Sequence, residues 1–232
     1  MILSYEHRFV FIKGLKVAGT STEMALAELC GPDDIVTPIT PADEAARLAA
    51  RNYSGDPEVE RAWLEQLREN PLADPPPRAT FFSHMRLAQV AAEVDLSGFR
   101  VLFVERSPYA KALSVVNWQR TRDQYRPGHA LVSTPEEVAA GFDERHVRRV
   151  RNIDRHRWPG GALAGAPWRA PELEREVASL AGALGRPAPV VPWAKEGIRS
   201  DPRDRASGSP ATSLASSSPT SQRSSTRSAI RG

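Results

Sequence analysis

Arg8-Phe-Val-Phe-Ile-Lys-Gly-Leu-Lys-Val-Ala-Gly-Thr-Ser-Thr-Glu-Met24 is the stretch on which the reading of this chain turns. Phe9 to Ile12 is a short apolar, β-prone run. A turn of small residues holding Lys16 and Gly19 follows, and Thr20, Ser21 and Thr22 then open a helical pattern through Met24, Leu26 and Leu29. A strand, a glycine loop and a helix N-terminus together make an anion site. The unpaired N–H groups of the first turn and the positive end of the helix dipole converge on one spot. Gly19 would let the backbone approach closely, the hydroxyls can donate, and Lys16 supplies a mobile point charge. The plainer alternative is an ordinary strand-to-helix connection with Thr20 as N-cap. The Walker pattern Gly-x-x-x-x-Gly-Lys-Ser/Thr is not met. Gly14 and Gly19 have its spacing, but Thr20 stands where its lysine belongs, which disfavours an ordinary ATPase or kinase.

The rest of the composition bounds the partners. The chain has 232 residues, 41% of them apolar, enough for a globular core, while 20 prolines and 15 glycines imply long irregular stretches. Its net charge is +3. Residues 199–232 contain six arginines and two aspartates, a net of +4, so residues 1–198 carry −1. The basic character therefore belongs to the tail, and a nucleic-acid partner for the body is not expected. A single cysteine, Cys30, excludes an internal disulfide framework and reads as a buried small apolar residue. No 18-residue apolar run exists and no signal-peptide pattern opens the chain, so a cytoplasmic protein without membrane contact is expected.

Working outward, Ile35 to Pro41 is extended because its prolines oppose a helix. Residues 42–52 and 57–70 are predicted helices, the second with Val59, Trp63 and Leu67 on one stripe. Residues 71–77 are a stiff proline connector. Thr80-Phe-Phe-Ser-His84 is β-prone, and 85–94 is helical. Phe99-Arg-Val-Leu-Phe-Val104 is the clearest strand, nearly all apolar, as in a sheet covered on both faces. A helix is predicted from about 110 to 120, a loop over 127–134, and a helix from 135 towards Arg151. Residues 158–171 read as loop and 172–184 as a last helix with Leu173, Val177, Leu180 and Leu184 facing inward. Strands alternating with helices predict an α/β fold, a parallel sheet flanked by helices in three layers. Lys16, His84 and Arg106 each sit just past a predicted strand end, where ligands bind in such sheets. Arg145, Arg148, Arg149, Arg151, Arg155 and Arg157 form the densest cationic stretch, either a solvated helix face or in part anion-facing. From Ser200 the sequence collapses into Ser, Arg, Pro, Thr and Ala, which predicts a disordered tail over 200–232 beside a domain of 1–199.

Three stretches together resemble a family. Phe9 to Ser21, ending Lys-Val-Ala-Gly-Thr-Ser, is similar to the phosphosulfate-binding loop of sulfotransferases that use 3′-phosphoadenosine 5′-phosphosulfate (PAPS). Phe103-Val-Glu-Arg-Ser-Pro-Tyr-Ala-Lys-Ala-Leu-Ser114 resembles their 3′-phosphate element, with Arg106 and Ser114 eight residues apart and Trp118 beyond. Phe81-Phe-Ser-His84 resembles the strand end that carries a histidine in the carbohydrate-type branch, and Gly31 to Pro41 looks typical of a bacterial subgroup. The resemblance covers roughly residues 8–121 and implies a P-loop NTPase-like sulfotransferase fold. It implies transfer of a sulfuryl group from PAPS to a hydroxyl of a carbohydrate or small-molecule acceptor.

That chemistry asks for these residue types. Sulfuryl transfer, like phosphoryl transfer, has a loose transition state in which charge builds on the departing oxygen. By resemblance Lys16 meets that charge, and Ala18, Gly19, Thr20, Ser21 and Thr22 surround the 5′-phosphate. Arg106 and Ser114 would hold the 3′-phosphate. His84 would be the general base, with Glu105 and Glu23 ranked below it; the alternative for His84 is a histidine satisfied inside the core. Lys195 and Arg199 fall in Trp193 to Arg203, which resembles the basic loop that closes over the nucleotide. No metal is expected. Two departures stand out. Pro167 to Leu173 replaces the family's usual strand before its last helix, and the Ser/Arg tail replaces a closing helix, as if read out of frame. The rival readings are a nucleotide-binding relative without turnover, a P-loop kinase, and nucleic-acid binding through the arginines.

Overall fold

A computed structural model describes residues 1–76, 79–124, 148 and 150–192. All of them fall within one contact unit, Met1–Ser200. Strand β2 (Phe9–Phe11) is central, with β1 (Ile2–Ser4) on one side and β4 (Arg100–Leu102) on the other. β1 runs antiparallel to β2 with Ile2 opposite Phe11, and it also pairs antiparallel with β3 (Ile35–Val36). β2 and β4 are parallel, Phe9 opposite Arg100 and Phe11 opposite Leu102. Phe103 interrupts the long strand, after which β5 (Val104–Glu105) pairs in parallel with β6 (Trp168–Arg169).

The expected parallel sheet is thus mixed. Only Tyr5 to Arg8 separate β1 from β2, and so short a connection can only return the chain antiparallel. Asp34 fixes this turn by accepting from the Ser4 hydroxyl and the Tyr5, Glu6 and Gly31 amides. Residues 80–84 do not form the expected strand. Their backbone is turned, with one amide, Phe81, bonded to the Tyr53 carbonyl at 2.8 Å, and His84 has φ 68°. Conversely β6 lies in the 158–171 stretch predicted to be loop, held because the Trp168 amide donates to the Phe103 carbonyl at 2.8 Å.

Six α-helices lie among the described residues: α1 (Gly19–Ala27), α2 (Pro41–Arg47), α3 (Pro57–Glu69), α4 (Leu87–Glu93), α5 (Pro108–Gln124) and α6 (Leu173–Ala183). α2 stops five residues earlier than expected because the Glu44 carboxylate takes the Ala49 and Ala50 amides, turning the chain at Leu48. In α3 the buried stripe is Glu60, Trp63 and Leu67 rather than Val59, Trp63 and Leu67. Glu60 is drawn inward by the amides of Asn52, Tyr53 and Ser54, while Val59 is exposed. Cys30 is half-buried rather than buried.

Strand alternation divides the core in two. Ile2, Phe9 and Phe11 pack with Leu26 of α1 and Val177 and Leu180 of α6. Leu3, Val10 and Ile12 point the other way and join Trp63 and Leu67 of α3 with Leu87 and Val90 of α4. Period-two side-chain direction in the strands is enough to produce this split. Burying Phe9, Val10, Phe11 and Ile12 almost completely contributes roughly 1.5–3 kcal/mol per side chain, which anchors the strand that feeds the loop. The predicted loop over 127–134, nearly all of the helix from 135 to 151, and the tail from 200 lie outside the described residues.

Candidate functional site

The site begins where β2 ends. Lys13 is buried, and its ammonium reaches Glu23 of α1 at 2.5 Å. Glu23 has no exposure and also accepts from the Met1 amine. Burial alone would raise the Glu23 pKa, but Lys13, the Met1 amine and Arg47 overcome this and hold it at about 2. The Met1 amine responds the other way: burial outweighs Glu23 and pushes it down to about 6. Lys13 is therefore the principal counter-charge of Glu23.

Between Lys13 and α1 the loop is held in sparsely populated backbone states. Lys16 has φ 60° and Ala18 has φ 62°. A non-glycine residue costs about 1–2 kcal/mol in this region, and such residues cluster at functional sites. Ala18, not Thr20, is the N-cap, and its carbonyl accepts the Thr22 amide and hydroxyl, both at 3.0 Å. The Thr22 proton is thereby committed and Thr22 is fully buried; Ser21 is also buried, while Lys16, Ala18 and Thr20 are half-buried. Gly19 has a different steric reason from the one expected of it. A Cβ there would lie 2.7 Å from Lys13 Cγ, so the glycine makes room for the lysine side chain crossing beneath the loop.

Asn152 clamps the loop from outside. Its Oδ1 accepts from the Leu15 amide at 2.7 Å and its Nδ2 donates to the Leu15 carbonyl at 3.0 Å. A Cβ on Gly14 would sit 2.9 Å from that Nδ2, so the close approach needs glycine. Sequence reasoning missed Asn152, which is 137 residues from its partner and belongs to no local motif.

His84 joins the loop through the backbone. Its Nδ1 is 3.2 Å from the Lys13 carbonyl oxygen, and its own carbonyl accepts from Arg155 Nη1 at 2.5 Å. A carbonyl only accepts, so Nδ1 carries the proton and the lone pair is on Nε2. Burial first, then the Lys13 charge, push the His84 pKa down to about 4, so the ring is neutral near pH 7. Glu105 and Glu23, the lesser base candidates, are both ion-paired, Glu105 to the buried Lys111 at 2.7 Å.

Arg106 follows β5, and the Ile12 amide donates to Leu102 at the end of β4. The parallel pairing of β2 with β4 runs both strands towards one end of that sheet. Lys16 follows β2 there, and Arg106 follows β5, which continues β4 after the break at Phe103 and pairs with β6 in the second sheet. Ser114 is half-buried on α5, two turns further on. Nearby, His156 is buried and stacked on Phe103 with ring centroids 4.1 Å apart. Lys195 and Arg199 lie outside the described residues. Among the described residues no three His, Cys, Asp or Glu side chains gather as a metal site, and no helix is long and apolar enough to cross a membrane. Compared with protein-family models, curated proteins and solved structures, the chain matches none.

Proposed function

We propose that this chain is a PAPS-dependent sulfotransferase acting on a hydroxyl of a carbohydrate or other small acceptor. The observation that carries the reading is the loop between β2 and α1, strained at Lys16 and Ala18 and clamped by Asn152. Strain held in place by surrounding structure, beside a helix N-terminus and a half-buried lysine, suits an oxyanion binding site. The two-sided packing of the sheet and the parallel β2–β4 pair support a P-loop NTPase-like, three-layer arrangement for the finer fold.

The residues present fit the nucleotide. The half-buried Lys16 and Thr20 lie near the start of α1, and Arg106 lies just past β5, the continuation of β4, with a planar fork suited to a phosphate. PAPS, when bound, supplies an activated sulfuryl group. Lys16 would balance the charge that develops on the departing phosphate oxygen, and Arg106 with Ser114 would hold the 3′-phosphate. The acceptor oxygen forms the new S–O bond as the bond to the departing oxygen breaks. His84 Nε2 takes the acceptor proton, while its Nδ1–H stays on the Lys13 carbonyl and keeps the ring in that tautomer. Cytoplasmic location and a single soluble catalytic domain belong to the same proposal.

The test is calorimetric titration of adenosine 3′,5′-bisphosphate into the wild type and Arg106→Ala. Micromolar binding, weakened by about 2 kcal/mol in the variant, is expected for a lost charge-assisted contact. A folded wild type that binds none would overturn the proposal. A second reading, binding without turnover, is favoured by the low basicity of His84. Retained bisphosphate binding with no transfer of labelled sulfate to any hydroxyl acceptor would select it.

A further inference from the structure

Arg155 differs from its neighbours in the arginine-rich stretch. Arg151 is exposed and Arg157 half-buried, and the two share Asp154, at 3.5 and 3.8 Å. Arg155 ends the 3-10 turn Ile153–Arg155 and is directed at the site, where Nη1 donates to the His84 carbonyl at 2.5 Å. Arg86 lies only two residues beyond His84, exposed at the start of α4. Burial first, and then the charge of Arg86, lower the pKa of Arg155. Among the described residues, neither Arg155 nor Arg86 has a carboxylate within ion-pair distance.

A guanidinium has five N–H donors, and one carbonyl satisfies only one of them. Taking such a group partly out of water beside a like charge is unfavourable until an anion completes it. Both arginines flank the residue whose Nε2 faces the reacting hydroxyl in the mechanism above. We propose that Arg155, assisted by Arg86, forms an oxyanion subsite beside His84 that holds a carboxylate, phosphate or sulfate group of the acceptor. The acceptor is then an anionic hydroxyl compound rather than a neutral one. Its identification as an acceptor rests on the sulfotransferase reading; the anion subsite does not.

The experiment follows the arginine Nε–H signals of the ¹⁵N-labelled full chain by NMR during titration with D-glucuronate and, in parallel, D-glucose. Glucuronate should shift the Arg155 signal in the millimolar range and glucose should not. Arg155→Gln should weaken glucuronate about tenfold or more while adenosine 3′,5′-bisphosphate binds within about twofold of wild type. Arg155→Lys keeps the charge but not the fork and should give an intermediate loss. It also serves as the readout if Arg155→Gln does not fold. Equal response to glucuronate and glucose, or response to neither, overturns the subsite. A comparable loss of bisphosphate affinity in the Arg155 variants also overturns it, because the anion would then be the nucleotide's. Glucuronate binding at Arg155 without any bisphosphate binding would leave the subsite standing and remove the sulfotransferase reading.

Discussion

Replacing Glu23 by glutamine removes the negative charge that faces the buried Lys13 ammonium and accepts from the Met1 amine, which is largely neutral at pH 7. Lys13 Nζ lies 2.5 Å from Oε2, and the Met1 amine meets Oε1. Neither side chain has access to water that could substitute, since Glu23 is 0% and Lys13 6% exposed. Two estimates of the effect agree. The Glu23 carboxyl titrates at about 2 when folded against 4.5 ordinarily. At 1.36 kcal/mol per pH unit, its charged form stabilises the fold by about 3 kcal/mol near neutral pH. Breaking a buried pair by removing one partner costs about 3–5 kcal/mol, because the other charge stays buried. Urea unfolding at pH 7 followed by circular dichroism should therefore show Glu23→Gln less stable by about 3 kcal/mol. For a chain of this size that corresponds to a melting point lower by about 6–12 °C. Replacing both partners, Lys13→Met with Glu23→Met, should recover much of the loss, since a matched apolar pair leaves no charge uncompensated. A loss below about 1 kcal/mol in Glu23→Gln with an unchanged denaturant slope would refute the reasoning.

Three further outcomes follow from the same geometry. Asn152→Ala deletes two hydrogen bonds to the Leu15 backbone and should cost about 2 kcal/mol in urea unfolding. It should also weaken adenosine 3′,5′-bisphosphate in calorimetry, and unchanged affinity would mean the clamp does not shape the site. Gly19→Ala gains less than about 1 kcal/mol of helix propensity. Its Cβ 2.7 Å from Lys13 Cγ should cost about 1–3 kcal/mol, so a net loss of stability is expected, and a stabilised variant would contradict the contact. His84 and His156 both titrate at about 4 when folded against 6.5 ordinarily, burial being the main cause for each. The folded state thus binds fewer protons, so stability is full above pH 6.5 and is lost as pH falls towards 4. The loss is up to about 3 kcal/mol for each histidine. His156→Phe, which keeps the stack on Phe103 and removes a buried Nε2 that has no hydrogen-bond partner among the described residues, should flatten part of that fall in a pH series of thermal melts. An identical acid profile in the variant would exclude His156 from it.

The parts of the fold that depend on near neighbours are readable along the chain. Phe9–Phe11 as a buried strand, the glycine loop, and the helices over 57–69 and 173–183 are legible because apolar spacing and capping residues act over a few positions. Lys16 is placed by the same local pattern, whereas His84 stands past a predicted strand end that residues 80–84 do not form. Features carried by distant partners emerge only on folding. Glu60 displaces Val59 from the core because three amides of residues 52–54 await a carboxylate, and α2 ends early because Glu44 does the same for 49 and 50. Residues 80–84 fail to become a strand for want of a partner ladder, while the short 168–169 strand exists because Phe103 provides one. Asn152 on Leu15, Lys13 beneath Gly19 and Arg155 on the His84 carbonyl join positions that no local pattern relates. Spacing along the chain encodes periodicity. Which buried donor meets which acceptor is settled only when the chain folds back and each polar group must find a partner in place of water.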